Sequence, residues 1–163
     1  MRHVISILME NESGALSRVA GLFSARGYNI ESLSVAATDD SSLSRMTLVT
    51  WGSEEVVEQI TKQLNKLVDV IKLLDLTEHD HIEREMMLVK AQSDNGRGEL
   101  IKHMSDIFGA RIIDVTTSSY TIELTGSSKK LNAFIEALND VPLVEVVRSG
   151  AMGIARGDKS LRI

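Results

Sequence analysis

The feature that most constrains this chain is an order of element types that occurs twice within 163 residues. Residues 3–9, HVISILM, form a short β-rich run that the polar Asn11-Glu12-Ser13-Gly14 segment breaks. From Ala15 the period changes, and Leu16, Val19, Ala20 and Phe23 recur at helical spacing, closed by Arg26-Gly27. Residues 29–36 alternate as a strand with one phase slip, which predicts a bulge near Ser32. After a turn over residues 38–42, residues 44–51 form a third strand, with Met46, Leu48 and Thr50 on one face. Ser53 is placed to cap a second helix with the stripe Val56, Ile60, Leu64 and Leu67, and residues 70–74 return as a strand. The order is strand, helix, strand, strand, helix, strand.

The same order then restarts. Residues 86–91 read as a strand, and residues 93–98 as a Gly-rich polar loop. Leu100, Ile101, Met104, Ile107 and Phe108 mark a helix that Gly109 ends. Strands over residues 111–115 and 120–124 follow, and Ser127 caps a helix with the face Leu131, Phe134, Ile135 and Leu138. A strand over residues 143–147 closes the half. The halves share spacing rather than identity: Ile30 answers Ile112 at an offset of 82, whereas Val56 and Ile60 answer Leu131 and Ile135 at an offset of 75. The fold class is therefore α+β: two ferredoxin-like βαββαβ units, each an antiparallel sheet with its helices on one face. The expected division is 1–77 and 78–163, within the polar stretch that holds His79 and His81. Units this small bury a modest fraction of their surface, and the second face of the first sheet mixes Ser6 and Thr47 with many apolar residues. Both points predict association, most simply as a two-fold dimer.

Composition excludes several functions. No cysteine is present, which removes disulfides, thiol catalysis and thiolate metal sites. The four histidines show no metal-binding spacing, so no metal site is expected in this chain. A formal net charge of −5 argues against nucleic acid or an anionic membrane as partner. No apolar run approaches membrane-spanning length, and the opening MRHVISILMENE meets acid too soon for a secretory signal, so a cytoplasmic protein is expected. Glu83 and Glu85 share a strand face and Asp39-Asp40 is a loop pair, but no nucleophile, base and orienting group fall together; no catalytic residue is assigned. The tail over residues 148–163 is basic and glycine-rich. It reads as solvated, with docking to an acidic groove of a larger protein as the alternative.

The turn before the first helix is the most informative segment. A helix opens with amides that have no intrahelical acceptor, and these suit a small carboxylate. Gly14 permits a tight turn and close approach, and Asn11 offers both a donor and an acceptor. An α-amino acid has matching ends. The competing reading is an ordinary loop and cap. Asn29, at the start of the second strand, is either a turn residue or a contact to the loop of a neighbouring unit. The loop Asp94-Asn95-Gly96-Arg97-Gly98 repeats the arrangement in the second half with an added cation.

Residues 10–36, ENESGALSRVAGLFSARGYNIESLSVA, closely resemble the opening of the regulatory small subunit of acetohydroxyacid synthase, also called acetolactate synthase. The likeness extends through LSRMTLVT at 43–50, KQLNKLVDVIKL at 62–73, EREMMLVK at 83–90, IIDVT at 112–116 and SGAMGIARGDK at 149–159. The resemblance implies that the first half is an ACT domain that pairs through its sheet as a homodimer. It implies a subunit without catalysis of its own that activates a large catalytic subunit carrying thiamine diphosphate, magnesium and FAD. It also implies feedback inhibition by valine in branched-chain amino acid synthesis. Valine is then expected against Asn11, Gly14, Ala15 and Leu16 of one chain and Asn29 and Ile30 of the other. Activation is associated mainly with the N-terminal half, and the valine response needs the C-terminal half as well. A free-standing amino-acid sensor acting on transcription and an independent enzyme are the alternatives. The first lacks a helix-turn-helix module, and the second lacks a catalytic constellation.

Overall fold

The computed structural model describes residues 1–163. The chain forms two compact α+β units, one of Met1–Ile82 together with Ala151–Ile163, the other of Glu83–Gly150. The first contains β1 (Arg2–Glu10), α1 (Ala15–Ala25), β2 (Ile30–Ala37), β3 (Leu43–Trp51), α2 (Glu54–Asn65) and β4 (Val70–Asp75), followed by a 3-10 turn at Leu76–Glu78. Its sheet is antiparallel in the order β2-β3-β1-β4, so β2 and β4 are the edges. Alternation along β1 sends Ile5, Ile7 and Met9 to one face, where they meet Met46 and Leu48 of β3. Ala15, Val19 and Phe23 of α1 and Val57, Ile60 and Leu64 of α2 close this core. Each of the Val, Leu, Ile, Met and Phe side chains among them contributes roughly 1.5–3 kcal/mol when fully buried.

Two helix faces keep the expected stripe at Val19, Phe23, Ile60 and Leu64 but differ at its first residue. In α1 the buried series is Ala15, Val19 and Phe23, and Leu16 is 42% exposed. In α2 Val57 is buried and Val56 only packs at the margin. The Ser53 cap forms as read, its Oγ accepting from the Val56 amide at 3.3 Å. Ser53→Ala should cost the first unit about 1 kcal/mol, seen as a lower midpoint in chemical denaturation. The predicted slip in β2 is a register shift between Ile30 and Ser32.

The second unit is built from β5 (His81–Gln92), α3 (Arg97–Phe108), β6 (Arg111–Val115), β7 (Ser119–Gly126), α4 (Ser128–Ala137) and β8 (Leu143–Arg148), with the path β6-β7-β5-β8. Met87, Val89, Ala91, Ile122 and Leu124 face Ile101, Leu131, Phe134 and Leu138. Phe108 and Phe134 meet edge to face at 5.3 Å. Ile107, expected on the buried side of α3, is 60% exposed, and Ser105 takes the inner position by donating to the Ile101 carbonyl at 2.7 Å.

The domain limits differ from 1–77 and 78–163. The division falls inside β5 at Ile82, because the polar residues after β4 fold into the 3-10 turn and the start of a strand rather than a linker. The larger difference is the tail. It is not a solvated extension: it contains β9 (Met152–Ala155) and returns to the first unit. There Ala151 joins Val4, Val49 and Leu76 in a small core on the face of the sheet opposite the helices. Part of the apolar surface that predicted association therefore has an intramolecular partner.

Candidate functional site

Gly14 precedes α1 with φ 87° and ψ −11°, a left-handed conformation natural to glycine, and no side chain caps the helix. The Ala15 amide turns back onto the Glu12 carbonyl at 3.2 Å, and the Arg18 amide donates to the Gly14 carbonyl at 2.9 Å. The amides of Leu16 and Ser17 have no hydrogen-bond acceptor within the chain. Open N–H groups at the positive end of a helix field are the kind of donor that suits a small anion. Ala15 is buried beneath the turn, whereas the Leu16 side chain projects to solvent.

The β2–β3 turn fixes Asn11. Its backbone N–H donates to Ser42 O at 2.8 Å and its Nδ2 to Ser41 O at 2.9 Å. The carboxamide oxygen is left as an acceptor suited to an ammonium group. Asp40 holds that turn by accepting from the Ser42 hydroxyl at 2.7 Å and the Ser42 amide at 2.9 Å, which lowers its pKa.

Arg18 and Asp69 were not singled out in the sequence, and they complete the local geometry. Arg18 reaches the buried Asp69 carboxylate through Nε at 2.5 Å and Nη2 at 3.1 Å. The pairing raises the Arg18 pKa and lowers that of Asp69, with the hydrogen bond between them as the main cause. The Glu10 amide also donates to the Asp69 carbonyl at 2.8 Å, so the end of β1, the start of β4 and the first turn of α1 are tied at one point. A Cβ on Gly14 would lie 2.9 Å from Arg18 Nη1, which places the guanidinium directly beside the turn. The available signal was a cation one helical turn after an N-terminal glycine.

The six expected ligand residues do not form one cluster within a chain. Asn11, Gly14, Ala15 and Leu16 lie where β1 ends and α1 begins, whereas Asn29 and Ile30 lie past the other end of α1. That helix has 11 residues, a length of about 16 Å. The sheet register agrees: Ile30 and His3 both pair with Thr50, whereas Glu10 pairs with Leu43 at the opposite end. Asn29 is exposed, its carbonyl accepting from Thr50 Oγ1 at 2.6 Å.

A cavity of about 520 Å³ also lies in the first unit, between α2, β4 and the start of β1, and none of the six residues lines it. His3 borders it, paired through Nδ1 with Asp75 at 3.2 Å, and the buried His3 Nε2 has no partner. No cluster of three or more His, Asp or Glu side chains forms a metal-ligand set. No helix is long and apolar enough to cross a membrane.

Known proteins resolve the family. Residues 5–72 match the AHAS small subunit-like ACT domain, and residues 84–157 match the small subunit of acetolactate synthase. The chain is 58% identical over 163 residues to the acetolactate synthase isozyme 3 small subunit of Salmonella typhimurium, covering 99% of this chain and 100% of the relative. It is 57% identical to the same subunit of Escherichia coli, with the same coverage. Among solved structures, the acetolactate synthase small subunit of Thermotoga maritima superposes with a TM-score of 0.87 at 36% identity, over 98% of this chain and 99% of that one. With both halves matched by family models and full-length relatives above half identity, this chain belongs to the regulatory small subunits of acetolactate synthase.

Proposed function

We propose that this subunit, without catalysis of its own, activates the large catalytic subunit of acetolactate synthase and makes it inhibitable by valine. Thiamine diphosphate, magnesium and FAD then belong to the catalytic subunit. The observation that carries the effector reading is the uncapped start of α1 behind a left-handed Gly14. The valine carboxylate takes the open amides of Leu16 and Ser17, with the Arg18 guanidinium adding positive potential beside the turn. The ammonium group takes the free carboxamide oxygen of Asn11, and the isopropyl group rests on Leu16.

The separation of the two half-sites supports a homodimer. β2 is an edge strand with half-buried residues and an unpaired side, which favours addition of another strand. In the register, Ala37 lies level with Ser44 and Met9, beside the Asn11 turn, and Ile30 lies at the far end. Antiparallel pairing of β2 with its copy about a two-fold axis sets the start of one β2 against the end of the other. Asn29 and Ile30 of one chain then face the Asn11–Leu16 turn of its partner. A small apolar pocket separates ligands differing by one methylene by only about 1–3 kcal/mol, so leucine and isoleucine compete weakly with valine.

The test is reconstitution. Adding this chain to its cognate catalytic subunit should raise acetolactate formation, and millimolar valine should reverse the gain. Unchanged turnover on addition, or pyruvate consumption by this chain alone, would remove the regulatory assignment.

A further inference from the structure

The turn before α3 contains the dipeptide Asn95-Gly96, and none of the other five asparagines precedes a glycine. Asn95 has φ 55° and is the only residue other than glycine with a positive φ. Asparagine enters that region more readily than most residues, because its short polar side chain is tolerated there. Gly96 follows at φ 80° and ψ 0°, directly before the helix. A carboxamide and the backbone nitrogen of the next residue thus meet outside any helix or strand.

Both groups are free to react. The Asn95 side chain and the Gly96 amide make no hydrogen bond within the chain. Their neighbours do: the Arg97 amide donates to the Asp94 carbonyl at 3.1 Å, the Gly98 amide donates to the Ser93 carbonyl at 3.0 Å, and Arg97 Nη1 pairs with Asp94 at 3.2 Å. Asn95 and Gly96 are exposed, and no atom lies within 4 Å of where a Gly96 Cβ would stand. Rotation about the Asn95 Cα–C bond brings the Gly96 nitrogen to the carboxamide carbon, and nothing packed at Gly96 blocks it. A side chain on the following residue is the usual obstacle to that approach, and Gly96 has none. Other asparagines lack this access. Asn11 is tied through Nδ2 to Ser41 and precedes Glu12, Asn29 precedes β-branched Ile30, and Asn132 lies inside α4 and accepts from Arg148.

We propose that Asn95-Gly96 is a self-modifying site, where conversion of the asparagine to isoaspartate loosens the start of α3. The Gly96 nitrogen bonds to Asn95 Cγ, its proton passing through water to the departing amide nitrogen. The carboxamide C–N bond breaks, ammonia leaves, and a five-membered succinimide closes. Water then adds to either ring carbonyl. One opening restores the normal main chain with aspartate at position 95, and the other routes the main chain through the side chain as isoaspartate. The net change is one water consumed and one ammonia released. The two products differ in consequence. Aspartate places a carboxylate near the N-terminus of α3, where the helix field favours it. Isoaspartate adds a methylene to the main chain inside both hydrogen bonds that close the turn, Arg97 to Asp94 and Gly98 to Ser93. Gly98 has little room to follow, since a Cβ there would lie 3.0 Å from Tyr120 Oη and 3.4 Å from the Ser93 carbonyl oxygen. The added length therefore opens the turn.

The test incubates the full chain in warm, mildly alkaline buffer. Peptide mass spectrometry should show NH2 exchanged for OH at residue 95 before any other asparagine, and an isoaspartate-specific methyltransferase should label that peptide. Asn95→Gln needs a larger ring and should slow the change at least about 100-fold, the scale on which a displaced intramolecular nucleophile loses rate. Hydrogen exchange at Arg97 and Gly98 should quicken in the isoaspartate fraction, whereas freshly purified Asn95→Asp should match unaged wild type. Conversion in urea-unfolded chain with none in the folded chain would mean that the turn protects itself, and overturns the proposal. Earlier conversion at another asparagine, or Asn95→Gln reacting as fast as wild type, overturns it as well. So does isoaspartate at position 95 with unchanged exchange at Arg97 and Gly98.

Discussion

Gly14→Asp should abolish valine inhibition while leaving activation of the catalytic subunit. The new carboxylate would occupy the helix N-terminus that otherwise receives the ligand's carboxylate, and would repel any that approached. Aspartate tolerates the left-handed backbone better than most residues, at a cost of about 1 kcal/mol, and as a helix cap it recovers part of that. Its Cβ meets Arg18 Nη1 at 2.9 Å, so the guanidinium shifts slightly and pairs with the new charge. The variant therefore stays folded. The half-inhibitory valine concentration should rise by more than about 100-fold, toward the upper range of measured couplings. Unchanged inhibition would refute the placement of the site. Mixing tests the two-chain geometry further. A heterodimer of Gly14→Asp and Asn29→Ala chains has one doubly damaged site and one intact site, whereas each homodimer has none intact. Valine binding should return on mixing at about one site per dimer; if the half-sites belonged to one chain, mixing would restore nothing.

Arg148→Ala should destabilise the second unit by about 3–5 kcal/mol, the usual consequence of stranding a buried charge. Glu85 is 5% exposed and accepts four hydrogen bonds. Two come from Arg148, through Nε at 3.2 Å and Nη2 at 2.9 Å. The others come from the Gly150 amide at 3.0 Å and the Ser128 hydroxyl at 3.2 Å. Asn132 accepts from Arg148 Nη1, which fixes the guanidinium. Burial pushes the Glu85 pKa up, but the hydrogen bonds and charge of Arg148, with those of Gly150 and Ser128, outweigh it and hold the carboxyl below its ordinary value of 4.5. A folded pKa below the unfolded one adds stability that is present above the unfolded value and lost as pH falls through the folded one. The second unit should therefore weaken in acid below about pH 4.5, and Arg148→Ala should flatten that dependence. Replacing both partners, as Glu85→Leu with Arg148→Met, should return most of the stability, because no charge is left unpaired. Urea denaturation at pH 7 and pH 4 reads both effects.

These sites differ in how far they were legible in the sequence. Glu85 was visible as a strand carboxylate, but its partner lies 63 positions away, and no local period encodes such a pairing. Gly14 was legible because a glycine between a β-run and a helical stripe changes the backbone rule at that point, and the structure gives it a positive φ. Arg18 belongs to the same turn, but its role comes from Asp69, 51 positions away just before β4. The helical period puts Leu16 on the buried stripe, yet the core takes Ala15, Val19 and Phe23, and the Leu16 side chain faces outward.

What the chain determines locally is the kind and order of its elements: a period of two or of 3.6, a serine cap, a glycine at a left-handed turn. These are short-range preferences of backbone and solvent, and they give both βαββαβ units and the uncapped turn before α1. Tertiary structure alone decides what lies on the second face of the first sheet. A glycine-rich, basic tail carries no strong β signal, and Gly153 has no side chain to announce its burial. It is seated because the space between Leu76 and Val4 excludes a Cβ, and because buried Thr47 needs a partner for its hydroxyl. The same holds for the two ends of α1: the family resemblance implies that Asn11 and Asn29 serve one ligand, and only the register shows that they lie at opposite ends of the sheet within a chain.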